Sequence, residues 1–220
     1  GDVYKRQPSH SSVASKLATT IIPDNIYNWI INYLSNRSHT TRVHNLTSSP
    51  LHVNSGIVQG SVLGPTIFNI NSSDLKPKSQ LNHYFKYADD GYLIVPSSNS
   101  STIQNELSHH EEWAASCNLK LNLSKTAEMI LVRARGKEPP LTSGVLRVQS
   151  LKILGVIVDN KLSFSEHIDT VLTSCSQSLF AFRVMRQHGM SQQSLQLVFK
   201  ASILSKLIYA VPAFRGFLSV

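Results

Sequence analysis

Asp89 and Asp90 are adjacent carboxylates followed by Gly91, in the run Tyr87-Ala88-Asp89-Asp90. Such a pair offers hard oxygen donors to a divalent cation. Successive side chains of a strand point to opposite faces, so both aspartates can meet one cation only where the backbone turns, and Gly91 would permit that turn. The flanking runs His83-Tyr84-Phe85-Lys86 and Gly91-Tyr92-Leu93-Ile94-Val95 carry the aromatic and β-branched content of strands, which predicts a hairpin with the carboxylates at its tip. Taken alone, Asp-Asp-Gly also reads as a solvated β-turn. The surrounding chain has to decide between the two.

A second stretch with chemistry is Ser55-Gly56-Ile57-Val58-Gln59-Gly60-Ser61-Val62-Leu63-Gly64-Pro65. Gly60 and Gly64 let backbone approach a bulky partner, Pro65 suits the first turn of a helix running through Ile67, Phe68 and Ile70, and Gln59 adds an amide suited to a base or sugar edge. A structural Gly-rich turn is the alternative. His109 and His110 lack a matching second ligand pair and read as solvated histidines rather than a zinc site.

The elements that must position these residues follow from periodicity. Pro8 and Ser9 open a helix with Val13, Leu17 and Ile21 on one face, and Pro23-Asp24-Asn25 opens another with Ile26, Ile30, Tyr33 and Leu34 inward and Trp29 beside them. The polar stretch from Ser35 to Ser49, with Arg37, His39, Arg42 and His44, reads as a solvated loop and edge strand or as a phosphate-contacting strand. Ser101 and Gln104 form a capping box for a helix that buries Ile103, Leu107, Trp113 or Ala114, and Cys117, with Glu106, Glu111 and Glu112 outside. Asn118 to Leu123 alternates as a strand, and Ser124-Lys125-Thr126 turns into another through Met129-Ile130-Leu131-Val132. Val145-Leu146-Arg147-Val148 and the run Leu151 to Val158 are expected to form a second hairpin, with Gly155 as a bulge or close approach. From Ser165 the period turns helical, first to Gly189 and then to Pro212.

Composition narrows the class. The 220 residues are 41% apolar, which fits a globular chain and not a disordered tail. Two cysteines, Cys117 and Cys175, exclude a disulfide framework and a Cys-based zinc site. No stretch reads as a membrane span or secretory signal, so a soluble intracellular protein of cytoplasm or nucleus, without a membrane partner, is expected. The net charge of +8 is unevenly spread: residues 1–119 carry eight basic and eight acidic side chains, residues 120–152 seven and two, and residues 153–220 six and three. An excess gathered downstream of the aspartate pair fits a groove that tracks phosphates.

In their order and spacing, Gln59-Gly60-Ser61-Val62-Leu63-Gly64-Pro65, Tyr87-Ala88-Asp89-Asp90, Asn122-Leu123-Ser124-Lys125 and Leu151-Lys152-Ile153-Leu154-Gly155-Val156 resemble the motifs of reverse transcriptases from non-LTR, LINE-type retrotransposons. The resemblance runs from about Pro8 to the C-terminus. It implies an α+β right-hand polymerase fold, an antiparallel palm sheet packed on helices and followed by a helical thumb, without the fingers. The expected division is a non-native leader at 1–7, a partial palm at 8–160 and a thumb-like region at 161–220.

The same resemblance implies RNA-directed DNA polymerase chemistry, adding dNTPs to a DNA primer on an RNA template. Magnesium, or manganese, would be held by Asp89 and Asp90. Gln59, Gly60, Ser61 and Tyr87 would line the nucleotide and template pocket, Lys125 would act on the leaving group, and Leu154 and Gly155 would grip the primer. One departure stands out. The family pattern Asp-x-x-x-Ala-Phe-Asp-x-Val-x-His, aligned on His10, puts Arg6 where its second aspartate belongs, and Asp2 stands at the wrong offset. A fragment that is inactive alone is therefore expected, with a noncatalytic nucleic-acid-binding remnant of a decayed element as the alternative.

Overall fold

The computed structural model describes residues 7–58, 60–131 and 139–217. They form two compact units, one made of the chain up to Thr126 together with Leu141–Val145, the other of Ala127–Pro140 and everything from Leu146. Helices and short strands mix in the first, and the second joins a hairpin to a run of helices.

The first unit begins with α1 (His10–Ala18), capped by the Ser9 hydroxyl accepting from the Ser12 N–H, and α2 (Asp24–Leu34). Val13, Leu17, Ile30 and Leu34 bury against Ile67 of α3 (Gly64–Asn71) as one core cluster. Three residues expected inside are out. α1 stops at Ala18, which leaves Ile21 fully exposed, and Ile26 and Trp29 lie on the solvent side of α2, Trp29 stacking on Tyr33. Between α2 and α3 the polar stretch forms a ribbon: β1 (Arg37–His39) pairs with β4 (Leu51–Val53), and inside it β2 (Arg42–Val43) pairs with β3 (Leu46–Thr47). Its side chains are almost all exposed.

β5 (His83–Tyr87) and β6 (Asp90–Ile94) make the expected antiparallel hairpin. The helix behind them, α4 (Ile103–Ser116), follows a 3-10 stretch, Ser97–Thr102, so Ser101 caps nothing; Thr102 is the N-cap and makes no side-chain cap bond. Its inward face also differs from expectation. Glu106 and His110 are buried with Trp113 and Ala114, and Cys117 and Leu119 complete the cluster with Leu75. Lys16 of α1 is tied to the end of α4, its ammonium 2.8 Å from Asp74 Oδ1, 3.1 Å from Cys117 Sγ and over the Trp113 ring.

Asn118 to Leu123 is not a strand. Asn118 adopts left-handed backbone, its N–H donates to the Ala115 carbonyl and that of Leu119 to the Ala114 carbonyl, closing α4 with a Schellman motif. Leu119 and Asn122, three residues apart and so out of phase with the alternation, are the buried positions, and the following residues coil into a 3-10 turn, Leu123–Lys125.

In the second unit β7 (Ala127–Glu128) pairs in parallel with β8 (Leu146–Arg147), joined by the Arg147–Glu128 ion pair. The expected longer strand through Met129 to Leu131 is absent, and Val132 lies outside the described residues. Nor does the segment at Val145 pair with the one at Leu151. The latter folds on itself, as β9 (Ser150–Ile153) against β10 (Val156–Asp159), and Gly155 belongs to the turn between them instead of forming a bulge. Among the described residues the strands therefore pair two by two, four ladders antiparallel and one parallel. Segments of two to five residues form no single continuous antiparallel sheet here.

The helical run comprises α5 (Ser165–Gln187), α6 (Gln192–Phe199), a π-helical stretch Lys200–Leu204, α7 (Ser205–Ile208) and α8 (Val211–Phe214). Phe164 stacks on Phe214, and His167 meets the same ring edge-on. Contrary to the expectation that no stretch is apolar enough, the 26 residues Gln192–Phe217 are long and apolar enough by length and composition to cross a membrane. Two lysines and interspersed serines and glutamines mask this in an unbroken-run reading.

Candidate active site

Asp89 and Asp90 sit where the residue pattern puts them, at the tip of the β5–β6 hairpin. Tyr87 is in register with Asp90, so Ala88 and Asp89 are the two turn residues. The turn's positive φ falls on Ala88, at 51°, and not on Gly91. A non-glycine residue there carries backbone strain of about 1 kcal/mol, of the kind that collects at functional turns. Asp89 is exposed, Asp90 half-buried and Tyr87 exposed.

Gly91 serves a different purpose from the one expected. It is a strand residue, and a Cβ built on it would fall 2.0 Å from the Tyr84 hydroxyl oxygen and 2.7 Å from Tyr84 Cζ. The Tyr84 side chain thus crosses the space above Gly91, with its ring centroid 4.6 Å from that of His110 on α4. Glycine is required here for room.

Three anchors hold this hairpin, and none is apparent from residue types alone. At the base, the Glu106 carboxylate, only 1% exposed, accepts from the Lys78 and Ser79 N–H groups at 2.9 and 2.8 Å and from Asn82 Nδ2 at 2.8 Å. Asn82 immediately precedes β5 and also accepts from Asn99 Nδ2. In the middle the Tyr84 ring lies against that of His110, tilted by 43°. Nearest the turn, the Lys86 ammonium donates to the carbonyl of Ser72, the C-cap of α3, and to that of Leu75. A cation at a helix C-terminus is favourable. Burial nonetheless pushes the Lys86 pKa down.

Burial alone would raise the Glu106 pKa, but the two N–H groups, Asn82 and His110 outweigh it and hold the carboxyl below its ordinary 4.5. His110 is lowered below 6.5, chiefly by burial and then by His109, with Glu106 acting the other way. Its Nε2 has no hydrogen-bond partner among the described residues. The unfolded chain takes up the histidine proton near 6.5 and the folded chain only at lower pH, so stability falls as pH drops through that interval. Glu106 contributes stability above 4.5 that is lost as pH falls through its lowered value. Urea midpoints between pH 7.5 and 3 are therefore expected to fall in two stages, and His110→Phe should flatten the stage that begins below pH 6.5 while leaving the lower one.

The remaining candidates lie on other elements of the chain. Gln59 lies outside the described residues. Gly60 has φ 79° and open space where a Cβ would stand, so backbone conformation rather than a close approach within the chain demands glycine there. Ser61 Oγ is buried without a hydrogen-bond partner among the described residues, and Gly64 makes only ordinary contacts. Lys125 ends the 3-10 turn, exposed. Neither the Lys16–Asp74 nor the Arg147–Glu128 ion pair involves Lys125 or the aspartates. Leu154 and Gly155 form the β9–β10 turn in the other unit. Among the downstream basic residues, Arg133, Arg135 and Lys137 lie outside the described residues.

All-oxygen donors of a carboxylate pair fit a hard cation such as magnesium, which keeps waters and substrate oxygens in its remaining positions. Among the described residues no third acidic, histidine or cysteine side chain gathers with them.

Comparison with known proteins agrees with the motif order. The family profile described as reverse transcriptase (RNA-dependent DNA polymerase) matches residues 8–158. The RNA-directed DNA polymerase from mobile element jockey of Drosophila melanogaster is 27% identical over 183 residues, covering 77% of this chain and 19% of that protein. The probable RNA-directed DNA polymerase from transposon X-element of the same species is 29% identical over 74% of the chain and 19% of its own length. The jockey polymerase of Drosophila funebris is 24% identical over 90% of the chain and 23% of its own length. The chain thus spans about a fifth of the length of these relatives.

Proposed function

We propose, for a chain that belongs to the reverse transcriptase (RNA-dependent DNA polymerase) family and is similar to its non-LTR retrotransposon members, that it carries part of the polymerase centre of an RNA-directed DNA polymerase acting inside the cell. The observation that supports it most is the hairpin that raises Asp89 and Asp90 to its tip from three anchors at Glu106, Tyr84 and Lys86. The strands and helices of 8–160 correspond in this reading to a palm and the helices of 161–220 to a thumb.

Asp89 and Asp90 supply carboxylate oxygens, Asp89 as the direct ligand and Asp90 in support. When bound there, a pair of divalent cations supplies activation of a primer 3′-hydroxyl and charge neutralisation at a dNTP triphosphate. Lys125, exposed on its turn, offers a flexible ammonium to the charge of the leaving pyrophosphate. Gln59, Gly60, Ser61 and Tyr87 line the nucleotide and template, Leu154 and Gly155 hold the primer, and the downstream basic residues contact RNA–DNA phosphates.

With arginine at position 6 in place of the pattern's aspartate, this chain brings two carboxylates where the chemistry takes three. The purified 220 residues are expected to bind primed RNA with a steep salt dependence and to incorporate no dNTP. Fused behind a strand carrying Asp-x-x-x-Ala-Phe-Asp, they should extend the primer in a magnesium-dependent way, and Asp89→Asn should lower that activity by about 100-fold or more. Incorporation by the unfused chain that Asp89→Asn abolishes would overturn the inactivity. Binding indifferent to Asp89→Ala, with no synthesis even after fusion, would establish the noncatalytic remnant instead.

A further inference from the structure

The β9–β10 turn is strained in a way its own sequence does not relieve. Leu154 and Gly155 both have positive φ, 47° and 92°. A two-residue hairpin loop of that kind is a type I′ turn, whose first position favours asparagine, aspartate or glycine. Leucine there sets its Cβ against the following carbonyl oxygen. The turn keeps its shape only if something else holds it.

Tyr209, 55 residues further on, does so. Its hydroxyl donates to the Leu154 carbonyl at 2.7 Å. Its ring occupies the flank of Gly155, with Cε1 3.2 Å from where a Cβ would stand. The backbone departs from regular helix to deliver this side chain. After the π-helical stretch and α7, Tyr209 itself is extended (ψ 125°) and Ala210 is left-handed at φ 55° before α8 begins. A second non-glycine residue is thus held at positive φ beside the contact. Tyr209 remains 54% exposed and Leu154 38%, so the contact fills no core. What it fixes is the conformation of a surface turn, with the ring lying in the room that Gly155 leaves.

Resting on the polymerase reading above, in which Leu154 and Gly155 hold the primer, we propose that Tyr209 is a positioning residue of that grip: its hydroxyl and ring hold the strained turn in the shape that receives the primer strand. Tyr209→Phe removes the hydrogen bond and keeps the ring. In the 220-residue chain, two quantities are to be measured: hydrogen exchange at the Gly155 and Val156 amides, and the ratio of affinities for an RNA template with an annealed DNA primer and for the same RNA unprimed. Tyr209→Phe is expected to speed exchange about fivefold, the scale of one hydrogen bond, and to lower the primed-over-unprimed ratio by a similar factor. Leu154→Asn, which suits positive φ, should restore slow exchange in the double variant. A purely structural tyrosine would leave the ratio unmoved. Unchanged exchange, faster exchange with an unchanged ratio, or failure of Leu154→Asn to restore slow exchange would each overturn the inference. A wild-type chain that shows no preference for the primed duplex overturns the polymerase reading and takes the grip with it, whereas a wild-type preference that Tyr209→Phe leaves intact overturns only the role of Tyr209.

Discussion

Glu106→Ala is expected to destabilise the first unit by about 3–5 kcal/mol, the range for breaking a buried charged network from one side. The substitution leaves the half-buried Lys78 and Ser79 N–H bonds and the buried Asn82 Nδ2 without their acceptor. Each unmet donor costs roughly 1–3 kcal/mol. Glu106→Gln, with the same shape and one carbonyl oxygen, should lose about half as much, because it meets at most part of the donor set and loses the charge. Urea unfolding followed by tryptophan fluorescence measures both, since Trp113 packs in the cluster that Glu106 adjoins. A loss under about 1 kcal/mol in Glu106→Ala would mean that water or a rearranged loop replaces the carboxylate. The consequence for function runs through Asn82: with the base of β5 released, the carboxylate turn loses its fixed foundation.

Gly91→Ala is expected to cost about 2 kcal/mol, within the range for forcing an extra methyl into filled space. Gly91 does not lie at positive φ, so alanine meets no conformational objection, and the clash with Tyr84 alone decides the outcome. Tyr84 cannot readily swing away, because its ring lies tilted against that of His110 and packs against the buried cluster of Trp113 and Leu119. In a Tyr84→Ala background the same Gly91→Ala change should be nearly neutral, and a double-mutant cycle reads the difference as coupling. An equal cost in both backgrounds would show that Gly91 matters for the strand itself and not for the ring that crosses it.

Both predictions concern positions whose type misleads when read along the chain. A glutamate followed four residues later by a histidine, on a helix with further glutamates, has the pattern of a solvated face, and the same spacing serves equally to bury a matched pair. Nothing local distinguishes the two. The deciding groups are the Lys78 and Ser79 N–H donors, more than 25 residues upstream, and the Tyr84 ring on another element. Likewise Gly91, next to the aspartates, suggests a turn glycine, whereas the turn takes its positive φ at Ala88 and spends the glycine on a side-chain crossing.

What the amino-acid sequence determined by itself was the frame of the candidate site. Adjacent carboxylates between two runs of strand formers, a Gly-Pro helix start at Gly64-Pro65 and helical periods at both ends depend on residue type and near neighbours. The hairpin, α1, α2, α3 and the stop of α5 before Gly189 follow from them. Motif order alone likewise carried the family. Only the tertiary structure decided how the site is held: which charged side chains are buried, how the Leu151 to Val158 run folds back at Leu154-Gly155, and that Tyr209 closes on that turn. These are contacts between residues far apart in the chain. Their free energy comes from desolvation and hydrogen-bond geometry that exist only once both partners are in place, so periodicity cannot register them.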